Sequence, residues 1–438
     1  GRHVFGAFHG GHFYLIDGKN GPGQYSISAT SPASRWFVYR FAEDKIEQVG
    51  LYEHPWPSAF GHITIDGSNA YVSDYNYGMW TFDLSNPAAP KRIGGAVTAG
   101  ESDALWLDGD RAYQWQTFGG AVFLLDVSRP GAPQRLGEYW DGAWLPYGNT
   151  RRGNYTVAGK DGFLYVPRQR KGIVIADVRN PASPKAIGLF QGADQKPVQV
   201  RGASIDVQGD RAFVLSGKSL LSYDVTNAGQ PKLTGTVGTP AADTLCARGD
   251  IVYLGVKQGT FSLVDVSKPE EMKVLSSIEL QPYCPDKKMG EVISGIAVSR
   301  GYAYLTARGP RSWRGAMFLH IVDVRDPKNP RWVRTYDPRP DLPDAPCFVW
   351  ADFYQDIIAD GDFLFIGDYG QIECYDISIP ESPEVFDIFH AGCQWSVGRK
   401  RGDYLYVPSL SGHIILNVPS SSQKPVGKVE ALAKFHKW

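Results

Sequence analysis

Tryptophan, tyrosine, arginine and histidine side chains are concentrated in long irregular segments of this 438-residue sequence, such as YWDGAWLPYGNTRRGN and YDPRPDLPDAPCFVWADFYQD. Aromatic rings stack on the apolar faces of sugars, and arginine grips a carboxylate through two parallel hydrogen bonds. The 45 basic and 46 acidic residues nearly cancel, so an anionic ligand must be bound locally rather than by a general field. These residue types predict a site for a carbohydrate that contains uronic acid.

The predicted reaction on such a ligand is β-elimination, which needs a neutralised carboxylate and a base near the adjacent carbon-bound proton. We predict His62 as base or acid, Tyr147 as its partner and Arg201 as the carboxylate clamp. Substrate binding is predicted for seven further residues, namely Arg151, Arg168, Arg308, Trp350, Asp356, His390 and Trp395. The chain is thus predicted to be a polysaccharide lyase that requires no cofactor.

Two other functions remain open. Glycoside hydrolysis uses a pair of carboxylates, for which Glu101, Asp352 and Asp356 are candidates. A non-catalytic platform that binds a glycan or a protein would need only the long irregular segments and no catalytic group. The sequence contains no P-loop and no G-x-S-x-G motif, which argues against NTPase and serine-esterase functions.

The elements that must position these residues are short strands. A unit of roughly 40 to 60 residues recurs along the chain, as expected of a propeller or solenoid. One copy reads GDRAYQWQTFGGAVFLLDVSRPGAP: a Gly-Asp turn, an aromatic strand, a β-branched strand and a proline-bounded exit. Seven copies keep an aspartate predicted to accept a hydrogen bond from the amide two residues on, at Asp83, Asp126, Asp177, Asp224, Asp265, Asp323 and Asp376.

Two degenerate units, with Arg40 and Asn417 in place of this aspartate, lie near the ends of the chain. A short apolar run before each unit supplies a fourth strand, and four-stranded units arranged radially are propeller blades. We therefore predict an all-β fold, a single β-propeller over residues 1–438. Nine units are counted, or eight blades if the termini share one, and the terminal units are expected to meet at the closure.

The apolar strands FLLDV, IVIADV, SLVDV and HIVDV resemble those of the LVIVD-repeat family of β-propeller proteins over nearly the whole chain. The resemblance implies the fold and little about activity. The architecture and the aromatic, arginine and histidine residues are also similar to those of propeller-fold polysaccharide lyases of the rhamnose–glucuronate type. No contiguous motif carries catalytic residues over from them.

A metal in the central channel, either calcium or a histidine-bound transition metal, is a further open alternative. His9 and His12 are followed by His54 and His62, and imidazole suits copper, zinc or iron. However, if His9 and His12 lay on one strand, their spacing of three residues would place their side chains on opposite faces.

Composition bounds the partners and the compartment. The longest apolar runs last a few residues, far fewer than the roughly 20 that cross a bilayer, and the pI near 6.8 gives no attraction to nucleic acid. Neither a membrane nor a nucleic acid is expected as a partner, and a monomer is expected. The five cysteines have no CxxC spacing, so a metal knuckle is not predicted. The start at Gly1 suggests processing, from which we expect a secreted or periplasmic protein.

Overall fold

The computed structural model describes residues 4–17, 33–42, 45–57, 60–74, 78–97, 102–116, 120–141, 157–168, 171–200, 205–256, 259–280, 292–308, 317–336, 356–368, 371–390, 398–409, 412–418 and 430–435. Within these ranges the chain forms nine four-stranded antiparallel sheets, numbered here in chain order. This confirms the all-β prediction, the four strands per unit and the count of nine units.

Strands follow one another in sequence order within each sheet. Sheet 1 contains β1 Val4–His9, β2 His12–Asp17, β3 Ala33–Ala42 and β4 Lys45–Pro57. Sheet 2 contains β5 Phe60–Asp66, β6 Asn69–Asp74, β7 Gly78–Asp83 and β8 Lys91–Val97. Sheet 3 contains β9 Ser102–Asp108, β10 Arg111–Gln116, β11 Val122–Asp126 and β12 Gln134–Tyr139.

The middle sheets repeat this plan. Sheet 4 contains β13 Ala158–Lys160, β14 Phe163–Arg168, β15 Gly172–Asp177 and β16 Lys185–Leu189. Sheet 5 contains β17 Ile205–Gln208, β18 Arg211–Ser216, β19 Ser219–Asp224 and β20 Lys232–Gly238. Sheet 6 contains β21 Ala242–Arg248, β22 Ile251–Val256, β23 Thr260–Asp265 and β24 Lys273–Glu279, with a 3₁₀ turn at Pro269–Glu271.

The last three sheets have the same order. Sheet 7 contains β25 Val292–Ser299, β26 Tyr302–Arg308, β27 Met317–Asp323 and β28 Arg331–Tyr336. Sheet 8 contains β29 Ile357–Asp360, β30 Phe363–Asp368, β31 Gln371–Asp376 and β32 Glu384–His390. Sheet 9 contains β33 Arg399–Arg401, β34 Tyr404–Ser409, β35 Gly412–Asn417 and β36 Glu430–Phe435.

The repeated aspartate ends the third strand of each of sheets 2 to 8. In all seven cases its Oδ1 accepts a hydrogen bond from the amide two residues on, at 2.7 to 3.2 Å. This confirms the predicted structural role: the side chain stabilises the turn that starts the exit to the outer strand. These bonds favour the carboxylate form, and at Asp323 the Arg325 guanidinium, together with the Arg325 amide, lowers the pKa to about 2.

Sheets 3 to 9 close into a ring in the described part of the chain. Their first strands contact one another in succession, from β9 through β13, β17, β21, β25 and β29 to β33, which returns to β9. Apolar clusters fill the spaces between neighbouring sheets, because alternate residues of each strand face opposite sides. The ring therefore has no open edge between its first and last sheets.

The junction between sheets 9 and 3 is built like the other junctions. The Arg401 guanidinium donates to the carbonyl oxygens of Gly109 and, at 2.8 Å, Val127. Arg111 makes the corresponding contact to the Val178 carbonyl in sheet 4 at 3.0 Å. An apolar cluster that includes Leu105, Phe123, Tyr406 and Ile415 fills the space between sheets 9 and 3. Closure here is thus an ordinary blade-to-blade contact.

Sheets 1 and 2 pack on each other around a cluster that includes Tyr14, Trp36, Trp80 and Phe82. Their contact is also blade-like, because a Cβ on Gly50 of sheet 1 would lie 2.1 Å from the Ala88 carbonyl oxygen of sheet 2.

Within the described ranges, sheets 1 and 2 have a weaker connection to the ring than the ring sheets have to one another. Gly94 holds the matching outer-strand position in sheet 2, but it is exposed and nothing described lies near its missing Cβ. Trp80 nevertheless stacks on Trp140, just after β12, at 5.5 Å between ring centroids. We expected the terminal units to meet at the closure, but the described residues place sheet 9 against sheet 3. The reason is that sheet 3 offers both the apolar face and the carbonyl oxygens that Arg401 binds. The extent of a single domain over residues 1–438 stays a prediction.

Candidate ligand site in the central channel

A cavity of about 390 Å³ lies where the first strands of the ring converge. Its walls come from sheets 3 and 5 to 9, and the residues with chemically active side chains are Trp106, Asp206, Thr244, Cys246, Arg248, Asp356, Asp360, Arg399 and Lys400. Cavities of a few hundred cubic ångströms hold small molecules in proteins. The cavity is large enough for a ligand of monosaccharide size.

Strand register explains why polar groups from distant parts of the sequence meet here. Trp106, Asp206, Cys246 and Arg399 each stand three residues before the glycine of the turn that ends the first strand. Each pairs with an aromatic residue of the second strand, at Tyr113, Phe213, Tyr253 and Tyr406 respectively. They therefore occupy one level of the channel wall.

Asp206 is a half-buried carboxylate that the backbone holds in place. Its Oδ1 accepts from the Val207 amide and its Oδ2 from the Ala247 amide of the next sheet, both at 2.9 Å. Burial raises the pKa of Asp206, and the amide of Ala247 and the cations Arg399 and Arg248 oppose that shift. A perturbed carboxylate beside cations in a cavity is a typical feature of functional sites.

Arg248 and Arg399 bring two guanidinium groups to the same cavity. Arg248 donates to the Ala247 carbonyl at 3.2 Å and Arg399 to the Gly398 carbonyl at 2.8 Å. Arg399 also lies over the ring of Trp106, 5.3 Å from its centroid. Neither forms a salt bridge with a carboxylate within the described ranges. Each guanidinium carries five donors, and within the described ranges each donates one hydrogen bond.

The other ionisable groups of the wall have structural partners. Lys400 is almost fully buried and pairs with Asp360, and it also donates to the Gly402 carbonyl at 2.6 Å. Burial raises the pKa of the Cys246 thiol to about 12, so this cysteine is neutral and unreactive at ordinary pH. The Trp106 indole donates to the Gly159 carbonyl of sheet 4 at 2.8 Å, which fixes the plane of its ring.

Of the ten residues predicted for the site, Asp356 is placed at the cavity. Its Oδ1 accepts from the Ile357 amide at 3.0 Å, at the start of β29. Arg168 is instead fully buried beneath Trp115 and Tyr139, where its guanidinium pairs with Asp141 at 2.9 Å. The environment of Arg168 is that of a structural ion pair.

The side chains of the other eight predicted residues lie outside the part of the chain that the structure describes. His62, Arg308 and His390 lie in β5, β26 and β32, but the described features do not extend to their side chains. His62 belongs to sheet 2, outside the ring that encloses the cavity. Tyr147, Arg151, Arg201, Trp350 and Trp395 lie outside the described residues.

Asp206, Arg248 and Arg399 were not among the predicted residues. Alignment of the first strands on their turn glycines would have found Asp206 and Arg399, because both stand where other repeats have Trp106, Val298 or Ile358. The expectation of His9 and His12 on one strand was wrong, since a turn separates them and they pair directly across β1 and β2. Among the described residues no group of three potential ligands is arranged to hold a metal, and no described helix could span a membrane.

Comparison with known proteins supports the fold. The LVIVD repeat model matches residues 61–98 and 154–191, which contain sheets 2 and 4. No curated protein matches the sequence. A solved Lactobacillus plantarum protein superimposes with a TM-score of 0.52 at 13% identity, covering 74% of this chain and 95% of that one.

Two further solved structures show weaker likeness. The β-propeller domain of Myceliophteria thermophila Cps50 (Swd1) has a TM-score of 0.43 at 12% identity, covering 71% of this chain and 96% of that one. The computationally designed Ika8 protein has a TM-score of 0.39 at 10% identity, covering 89% and 96%. With nine four-stranded antiparallel sheets the chain has a β-propeller fold, and two of its segments match the LVIVD repeat model.

Proposed function

We propose that this propeller binds a small carboxylated carbohydrate, such as a uronate, in the central cavity through Arg248 and Arg399. The observation that carries the proposal is the pair of guanidinium groups that line one cavity without a carboxylate salt bridge in the described chain. Arg399 is half-buried and Arg248 is exposed at the cavity wall, so both guanidinium groups are accessible to a ligand. A carboxylate is the ligand whose geometry matches a guanidinium best.

The chemistry of the wall favours a sugar acid over a simple carboxylate. Trp106 adds an aromatic surface that Arg399 already covers in part, and Thr244 and Asp206 add hydrogen-bonding groups. A cavity of about 390 Å³ accommodates one or two sugar rings and excludes a long polysaccharide except at its end. The residues that line the cavity are therefore sufficient for the proposed binding of a sugar acid.

β-Elimination is the catalytic form of the same proposal. It would need a base near the C–H proton beside the bound carboxylate, and Asp206 is a carboxylate at the same level of the cavity wall as Arg399. The bases predicted from sequence, His62 and Tyr147, are not placed at this cavity by the described residues. Binding without turnover is accordingly the proposed function, and turnover is an outcome that the experiment measures.

The test is calorimetric titration with glucuronate, galacturonate and the neutral sugars glucose and galactose. Uronates are expected to bind at least tenfold more tightly than the neutral sugars, since charge-assisted hydrogen bonds contribute about 1.5 to 3 kcal/mol each. Arg399→Gln should weaken uronate binding by about tenfold or more. The matched control is Arg334→Gln, because exposed Arg334 also lies against an aromatic ring, that of Tyr336 at 5.6 Å, but on an outer strand.

Two results would overturn the proposal. One is absence of uronate binding by the unaltered protein, and the other is equal affinity of the Arg399→Gln and Arg334→Gln variants. In parallel, polymers that contain uronate are incubated with the protein. A rise in ultraviolet absorbance from an unsaturated sugar would add lyase activity, and new reducing ends without that absorbance would add hydrolysis.

A further inference from the structure

The cavity combines groups that attract an anion with a group that repels one. Asp206 stands at the same level of the wall as Arg399, and its carboxylate lies close enough to both Arg399 and Arg248 to feel their charges. An anion that binds the two guanidinium groups must therefore approach Asp206. The energetic cost of that approach grows with the charge of the ligand.

Asp206 also has capacity to accept hydrogen bonds from a ligand. Each of its oxygens accepts one backbone amide, from Val207 and from Ala247, and a carboxylate oxygen has two lone-pair directions. A hydroxyl group on the ligand can donate to the second direction. Sulfate has no hydrogen to donate at neutral pH, whereas a uronate has several hydroxyl groups.

We infer that Asp206 makes this cavity selective for a singly charged ligand that carries hydroxyl groups beside its carboxylate, and against dianions that cannot donate a hydrogen bond. The inference rests on the proposed function, because it takes Arg248 and Arg399 as the anion-binding groups. Asp206 then determines which ligand binds, whereas a carboxylate with a purely structural role would not change ligand preference.

The first experiment compares glucuronate with sulfate by calorimetry at pH 7. The unaltered protein should bind sulfate about tenfold more weakly than glucuronate, because sulfate cannot donate a hydrogen bond to Asp206 and that carboxylate repels its second charge. Asp206→Asn should tighten sulfate binding by about tenfold and weaken glucuronate binding by about threefold, through loss of one charge and one acceptor. Asp250→Asn is the matched control, since its exposed side chain lies in the turn after the same strand as Arg248.

A second measurement needs no substitution. Burial raises the pKa of Asp206, and its protonation removes the repulsion, so sulfate binding by the unaltered protein should strengthen relative to glucuronate as the pH is lowered. The charged and titratable groups that line the cavity with Asp206 are Cys246, Arg248, Asp356, Asp360, Arg399 and Lys400. Loss of the pH effect in Asp206→Asn assigns it to Asp206 rather than to the other carboxylates.

The outcomes separate the two proposals. Failure of glucuronate to bind, or binding that Arg399→Gln leaves intact, refutes the proposed function and this inference with it. Glucuronate binding that depends on Arg399, together with an unchanged glucuronate-to-sulfate ratio in Asp206→Asn and no pH effect in the unaltered protein, refutes only the selectivity inference.

Discussion

Closure of the ring through sheet 3 makes a quantitative prediction about Arg401. Its guanidinium donates to the carbonyls of Gly109 and Val127 and lies over the ring of Tyr406. Hydrogen bonds from a charged donor contribute about 1.5 to 3 kcal/mol each, and the side chain is 34% exposed. We discount the pair by roughly half for solvent screening, and Arg401→Met should lower the free energy of unfolding by about 2 kcal/mol.

The assay is urea denaturation followed by tryptophan fluorescence, or the unfolding rate if refolding is incomplete. Arg111→Met is the positive control, because Arg111 makes the corresponding contact to Val178 between sheets 3 and 4, and it should cost a similar amount. Arg300→Met is the negative control, because its pair with Asp362 is exposed and should contribute less than about 1 kcal/mol. If Arg401→Met costs no more than Arg300→Met, sheet 9 does not close on sheet 3 as described.

Two further predictions concern glycine packing and acid stability. Gly235→Ala should lower the free energy of unfolding by roughly 2 kcal/mol, because the new Cβ would meet the Pro269 carbonyl oxygen at 1.8 Å. Gly94→Ala, at the matching exposed position, should change stability little. Equal losses of stability by the two variants in thermal melts would contradict this packing. The pKa of Asp323 is lowered to about 2, so its contribution to the free energy of unfolding is fully present above its unfolded pKa near 4. That contribution is lost as the pH falls through about 2. Asp323→Asn should flatten that part of the pH–stability curve, and a curve of unchanged slope would show that the carboxylate does not stabilise the turn.

Local chemistry made most of the fold predictable. The aspartate of each repeat, such as Asp126, needs only the amide two residues on, and that contact depends on neighbouring residues alone. The Gly-Asp turns behave likewise, because the tight two-residue connection has a residue at positive φ, which favours glycine, as at Gly209. Repeats of such signals therefore predicted the strands, their order and the number of sheets.

The site was less predictable for the opposite reason. Asp356 was identified, but Asp206, Arg248 and Arg399 come from three different repeats and look unremarkable in each. Their proximity depends on how the sheets are arranged around the axis, which no local pattern specifies.

What the sequence by itself determined is the repeating unit, since its turns and its alternation of apolar residues act over a few positions. The tertiary structure decided which sheets become neighbours. Sheet 9 packs against sheet 3, where Arg401 contacts Gly109 across 292 positions of the sequence. Packing between sheets also buries Arg168 with Asp141 and brings Arg248 and Arg399 to one cavity.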